Sequence, residues 1–119
     1  MKIIKFVNNA FSTKMLQSDL AIAQVTISEN EFMNEAHKDD VTSVIGHPDT
    51  AKLFGLKENR QSLTLKSGDT LFVCEMNNQT KTRLPEGITR MSEIPDGFTF
   101  RFLKIKVFDI PSDILKEMK

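Results

Sequence analysis

His47 stands between Gly46 and Pro48 in the stretch Val44-Ile45-Gly46-His47-Pro48-Asp49-Thr50-Ala51, where a helix should begin. It is one of two histidines, and an imidazole suits proton transfer near neutral pH. The start of a helix also suits contact with a phosphate, because the free N–H groups of a first turn attract anions. Other reactive groups are few: Asn and Ser residues in loops, and Arg83 and Glu86 in a long polar segment. That set is sufficient for one reaction. RNA carries its own nucleophile in the 2′-hydroxyl. Cutting it by transesterification needs alignment of that hydroxyl with phosphorus, neutralisation of the phosphate and protonation of the departing 5′-oxygen. A positioned histidine acid contributes roughly 10²–10⁴-fold, and the reaction needs no metal. On these residues alone, a loop histidine that merely packs stays open as the plainer reading.

Other chemistries lack their residues. Metal-dependent nucleases and phosphatases gather several carboxylates or histidines around one or two ions. Here Asp39 and Asp40 are adjacent, no His-x-x-x-His occurs, and Cys74 is the lone cysteine, so no metal site is expected. Neither GxGxxG nor GxxxxGK[ST] is present, and no serine sits in GxSxG, so no cofactor is expected either. With no Trp or Tyr, an open platform for stacking single-stranded bases is disfavoured.

Composition sets the frame. A chain of 119 residues suits one domain, 1–119, burying about two-thirds of its unfolded surface. The fractions, 39% apolar and 27% charged, are those of an ordinary globular protein. No run of eighteen apolar residues exists, so no membrane span is expected. The opening MKIIKFVNNAF has too short an apolar run for a secretory signal, and a lone cysteine fits a reducing compartment; both point to the cytoplasm. Cys74 lies in the apolar run Leu71-Phe72-Val73-Cys74 and reads as packing. Zero net charge argues against nonspecific coating of nucleic acid, and no duplex DNA partner is expected. Charge is uneven, however: residues 57–106 hold nine Lys/Arg against six Asp/Glu, enough to face a small anion.

The elements that must position these groups follow from periodicity. Ile3 to Val7 reads as a short buried strand, broken by Asn8-Asn9 and Ser12-Thr13. Leu20 to Ile27 reads as a second strand, with Ala21, Ala23, Val25 and Ile27 on one face. Ser28 and Glu31 fit a capping box for a helix carrying Phe32, Met33 and Ala36 and ending near His37, which is assigned to capping or solvent. Asp39 or Asp40 could cap a second short helix with Val41, Val44 and Ile45 inward, ended by Gly46. Pro48 suits the first turn of a third helix with Ala51, Leu53 and Phe54 inward.

Leu63, Leu65 and Leu71 to Met76 flank Ser67-Gly68-Asp69, a hairpin signal. Residues 77–97 form a long polar segment, a candidate lid loop. Phe98 to Phe102 alternates, then the phase slips to Leu103, Ile105 and Val107, which implies a bulge or a strand covered on both faces. Pro111 and Asp113 open a C-terminal helical tail, 109–119. The product is an α/β (α+β) domain with a central mixed β-sheet flanked by short helices.

Three stretches, taken together, resemble a known family: Asn9-Ala10-Phe11-Ser12, Ile45-Gly46-His47-x-x-Thr50-Ala51 and Arg83-Leu84-Pro85-Glu86-Gly87. Asn59-Arg60 and Lys66-x-Gly68-Asp69 support them, in the same order over roughly residues 2–108. The chain looks like the viral type III anti-CRISPR ring nuclease family, which also has bacterial and mobile-element members. The resemblance implies a homodimer that binds cyclic tetra-adenylate and linearises it without metal, leaving a 2′,3′-cyclic phosphate and switching off type III CRISPR signalling. It implies that His47 is the general acid and that Glu86 orients the 2′-hydroxyl or the histidine. It implies that Arg83 and, less directly, Arg60 hold phosphate, and that Asn9 and Ser12 hydrogen-bond the ring. The family places a two-fold ring across an isologous dimer.

The sequence departs from relatives at two further positions in the implied substrate-binding set. Glu75 stands where some have Gln and Lys14 where some have Asn, and Asn77 to Thr82 lengthens the approach to Arg83. These departures keep in view a non-catalytic nucleotide- or protein-binding module of the same fold; a single-strand DNA nuclease is a separate alternative. The last lacks a nucleophile, since DNA has no 2′-hydroxyl.

Overall fold

The computed structural model describes residues 4–8, 13–46, 48–59, 63–78 and 87–119, with residues 4–8, 77 and 78 described as backbone only. Among the described residues five strands form one mixed sheet: β1 (Ile4–Asn8), β2 (Ala21–Ile27), β3 (Val41–Ser43), β4 (Thr70–Asn78) and β5 (Phe98–Phe108), in spatial order β2-β5-β4-β1-β3. β1 lies parallel to both of its neighbours, β3 and β4, while β5 runs antiparallel to β4 and β2. Among the same residues three short α-helices accompany the sheet: α1 (Glu29–Ala36), α2 (Pro48–Leu53) and α3 (Ser112–Met118). None of them is long and apolar enough to cross a membrane. The mixed sheet with short flanking helices is the architecture expected from the sequence.

Two apolar clusters lie on opposite faces of the sheet. On one face Phe72, Cys74 and Phe102 meet Phe32 and Ala36 of α1, Ala51 and Leu53 of α2, and Phe54. The rings of Phe32 and Phe54 meet edge to face, 5.5 Å between centroids, and Phe32 lies 4.9 Å from Phe102. On the other face Leu71, Val73, Leu103, Ile105 and Val107 pack with Leu65 and with half-buried Met15, Leu16 and Leu20. Alternation along β4 therefore reads as a continuous buried run, Leu71 to Cys74, because both faces are covered.

The same arrangement explains the phase slip in β5. Its pairing with β4 is continuous from Asn78↔Phe98 to Thr70↔Lys106, so there is no bulge. Phe100 and Phe102 face the helices at one end of the strand, and Leu103, Ile105 and Val107 face the second cluster at the other.

Local expectations met the structure unevenly. Ser28 caps α1 as its pattern requires, its Oγ accepting the Glu31 N–H at 3.1 Å, and His37 is the C-cap. The strands near 3–7 and 20–27, the helix from Pro48 and the C-terminal helix are all present.

Two expectations are corrected. The short helix expected from Asp39 or Asp40 through Ile45 is instead β3, whose Val41, Thr42 and Ser43 pair in parallel with Ile4, Lys5 and Phe6. Two β-branched residues beside an open edge of β1 are worth more as a ladder than as one turn of helix. The hairpin at residues 67–69 is also absent: Leu65 bridges Leu16 in parallel, and β4 pairs with β1 and β5. Ser67-Gly68-Asp69 still makes a turn, with Gly68 at φ +95°, but that turn turns the chain into β4 from outside the sheet.

Within the 77–97 segment, residues 77 and 78 belong to β4, and Met91–Glu93 forms a single 3₁₀ turn. Ile88, Met91 and Ile94 pack on the helix-side cluster.

Candidate functional site

Three parallel strands point their carboxyl ends toward one rim of the sheet, β3 ending first, then β1, with β4 running on beyond both. Phe6 of β1 stands opposite Ser43, the last residue of β3, and Asn8 stands opposite Cys74 of β4. β4 continues to Asn78, which pairs with Phe98, the first residue of β5. The segments that begin at residues 9, 44 and 79 therefore leave from this rim, and the one ending at 97 returns to it. The chain leaves β3 on one side of β1 and returns through α2 to β4 on the other side. The chain after β1 instead runs through Met15, Leu16 and Leu20 on the face opposite α2, and connections that diverge to opposite faces at the carboxyl ends of neighbouring parallel strands leave the crevice where α/β sheets bind ligands.

The loop from β3 to α2 is fastened along its length. Ile45 is buried and its carbonyl accepts the Asn59 N–H at 2.9 Å. Ser43 Oγ donates to the Lys57 carbonyl at 3.0 Å and accepts from the Ile45 N–H at 3.4 Å. Pro48 supplies a preset φ for the first turn of α2. Ala51 and Leu53 then bury, and the helix closes in a Schellman motif. The Leu56 N–H donates to the Ala51 carbonyl at 2.8 Å and the Gly55 N–H to the Lys52 carbonyl at 3.0 Å. Gly55 takes φ +68° there, with His37 against it. Next to the start of α2, Asp49 Oδ2 accepts the backbone N–H of Gly87 at 2.9 Å.

Six residues expected at the site, Asn9, Ser12, His47, Arg60, Arg83 and Glu86, lie outside the described residues. Their chain neighbours Asn8, Thr13, Gly46, Pro48, Asn59 and Gly87 are described, and two ties join those neighbourhoods: Asn59 to Ile45, and Gly87 to Asp49. The remaining two expected residues sit apart from α2. Glu75 stands opposite Arg101 across β4 and β5, two residues beyond Val73 and on that residue's face of the sheet. Lys14, exposed in the 3₁₀ turn Thr13–Met15, begins the segment whose Met15, Leu16 and Leu20 cover the same face. Glu75 therefore belongs to the face away from α2, and Lys14 to a segment that covers that face.

Lys66-x-Gly68-Asp69 lies at the opposite end of the sheet from the rim, before the first residue of β4. Asp69 is buried, its Oδ2 accepting the Lys66 N–H at 3.0 Å, so this motif is architectural. Cys74 is fully buried, and burial raises its thiol pKa well above the ordinary range, which removes it from nucleophilic chemistry. Among the described residues no three of His, Cys, Asp and Glu stand together as a metal site. Sequence reasoning passed over Asp49, one of the unspecified positions between His47 and Thr50. An acidic residue in the first turn of a helix was the available signal, but its partner is 38 residues away.

A family model described as STIV B116-like matches residues 5–102. Among solved structures, B116 of Sulfolobus turreted icosahedral virus superposes with a TM-score of 0.63 at 24% identity, over 86% of this chain and 97% of that one. That likeness speaks to the fold. No curated protein matches.

Proposed function

The chain belongs to the STIV B116-like family, and from that premise we propose that it is a metal-independent ring nuclease acting on cyclic tetra-adenylate. The observation that carries the reading is the common rim. β1, β3 and β4 are parallel and their carboxyl ends point the same way, so the segments holding Asn9 and Ser12, His47, and Arg83 and Glu86 each follow a strand that leads toward one edge of the sheet.

In the reaction the 2′-oxygen of one adenosine attacks the neighbouring phosphorus and the bond from phosphorus to the 5′-oxygen breaks. His47 protonates that oxygen, and the 2′-hydroxyl, oriented by Glu86, gives up its proton to a carboxylate or to solvent. The products are linear oligoadenylates ending in a 2′,3′-cyclic phosphate, with no water consumed in the step. Arg83 and Arg60 neutralise phosphate, Arg83 with a planar fork suited to it. Asn9 and Ser12 hydrogen-bond the ring. A two-fold ring calls for an isologous homodimer presenting each set once per half ring. In a virus-encoded protein the work would be done in the host cytoplasm, where it silences type III CRISPR signalling.

The test is incubation with cyclic tetra-adenylate in chelator, with products resolved by chromatography. Linear cyclic-phosphate products are expected, with the rate in His47→Ala reduced about 10²–10⁴-fold and wild-type activity falling on the alkaline side as the imidazole loses its proton. Binding without turnover, or undiminished cleavage by His47→Ala, would refute the catalytic reading.

A further inference from the structure

Asp49 makes the one described side-chain hydrogen bond between α2 and the chain after residue 86. Its Oδ2 accepts the Gly87 N–H at 2.9 Å. A carboxylate accepting a backbone N–H forms a charge-assisted bond, stronger than a neutral one. Gly87 has φ +85° and no atom within 4 Å of where a Cβ would lie, so conformation rather than space asks for glycine there. The turn that this φ makes sends the following residues down onto the core, where Ile88 packs on the same cluster as Ala51, Leu53 and Phe54. A polar contact at Gly87 therefore fastens this stretch to α2, and an apolar one at Ile88 fastens it to the cluster that α2 joins.

The placement of those points along the chain gives the clasp its meaning. Asp49 is two residues beyond His47, and Gly87 directly follows Glu86. We propose that Asp49 is a positioning residue, holding the backbone at Gly87, next to Glu86 in the chain, in register with the start of α2, which His47 directly precedes in the sequence. This rests on the ring-nuclease reading above. Asp49 itself touches no reacting atom. Removing its carboxylate leaves His47 and Glu86 chemically intact but unfastens Gly87 from α2, and a misplacement of about 1 Å can cost on the order of 10²-fold in rate.

Asp49→Ala and Asp49→Asn are compared with wild type in three measurements: single-turnover cleavage of cyclic tetra-adenylate, ring affinity at equilibrium, and amide exchange of Gly87 by NMR. Asparagine keeps an oxygen that accepts the bond; alanine does not. The expected result for Asp49→Ala is faster Gly87 exchange and a 10- to 100-fold slower single-turnover rate, with ring affinity within about 3-fold of wild type. Asp49→Asn should recover most of both losses.

A Gly87 amide that exchanges in wild type as fast as in Asp49→Ala would overturn the clasp. Faster exchange with an unchanged cleavage rate would overturn the positioning role while leaving the bond. Wild-type protein that protects Gly87 but does not cleave the ring sinks the ring-nuclease reading, and this role for Asp49 with it. The protected amide distinguishes that outcome from failure of the clasp.

Discussion

Glu75 and Arg101 face each other across β4 and β5, one guanidinium nitrogen lying 3.1 Å and 3.2 Å from the two carboxylate oxygens. Both side chains remain substantially exposed. Water screens such a pair, and a double-mutant cycle with Glu75→Gln and Arg101→Gln should return a coupling of about 0.2–1 kcal/mol in urea denaturation. The same variants address recognition. If Glu75 touches the ring, Glu75→Gln lowers ring affinity in the Arg101→Gln background as well. An effect that vanishes in that background belongs to the pair.

Cys74 gives a pH dependence of defined sign. The folded chain keeps the thiol protonated because burial disfavours the thiolate, and Glu29 and Glu75 add to the shift. The unfolded chain releases this proton above the ordinary value of 9.0, so it binds fewer protons than the folded chain there. The contribution is fully present below that pH and is lost as pH rises, by at most about 1.4 kcal/mol per unit. Denaturation midpoints of wild type should therefore fall more steeply between pH 9 and 10.5 than those of Cys74→Ala. Parallel slopes would count against a buried protonated thiol.

Gly55 closes α2 at φ +68°, and a Cβ there would stand 3.2 Å from His37 Cε1. Gly55→Ala should cost about 1–2 kcal/mol from the backbone alone, read from urea unfolding. His37→Ala added to it should recover only the part due to crowding. Full recovery would show that φ was not the cause.

Much of the frame was legible because its signals are local. Ser28 at the start of α1 and Pro48 at the start of α2 act within one turn, and the alternation of β2 and β5 is a property of the strand itself. The two corrected elements have partners distant in sequence. Val41 to Ser43 became a strand because β1 lay open beside it, and Leu65 bridged Leu16 rather than a hairpin mate. The apparent slip in β5 needed two clusters on opposite faces before it could be understood.

The candidate residues divide in the same way. Sequence by itself supplied the chemistry: an imidazole at a helix start, a polar segment carrying Arg83 and Glu86, and no metal-ligand pattern, all of which are matters of residue type and short spacing. Only the tertiary structure decided which strand ends share a rim, that Glu75 pairs with Arg101 away from α2, and that Asp49 holds Gly87. Those facts depend on register and on contacts between residues 26 and 38 positions apart, whose energy exists only once the sheet has brought them together.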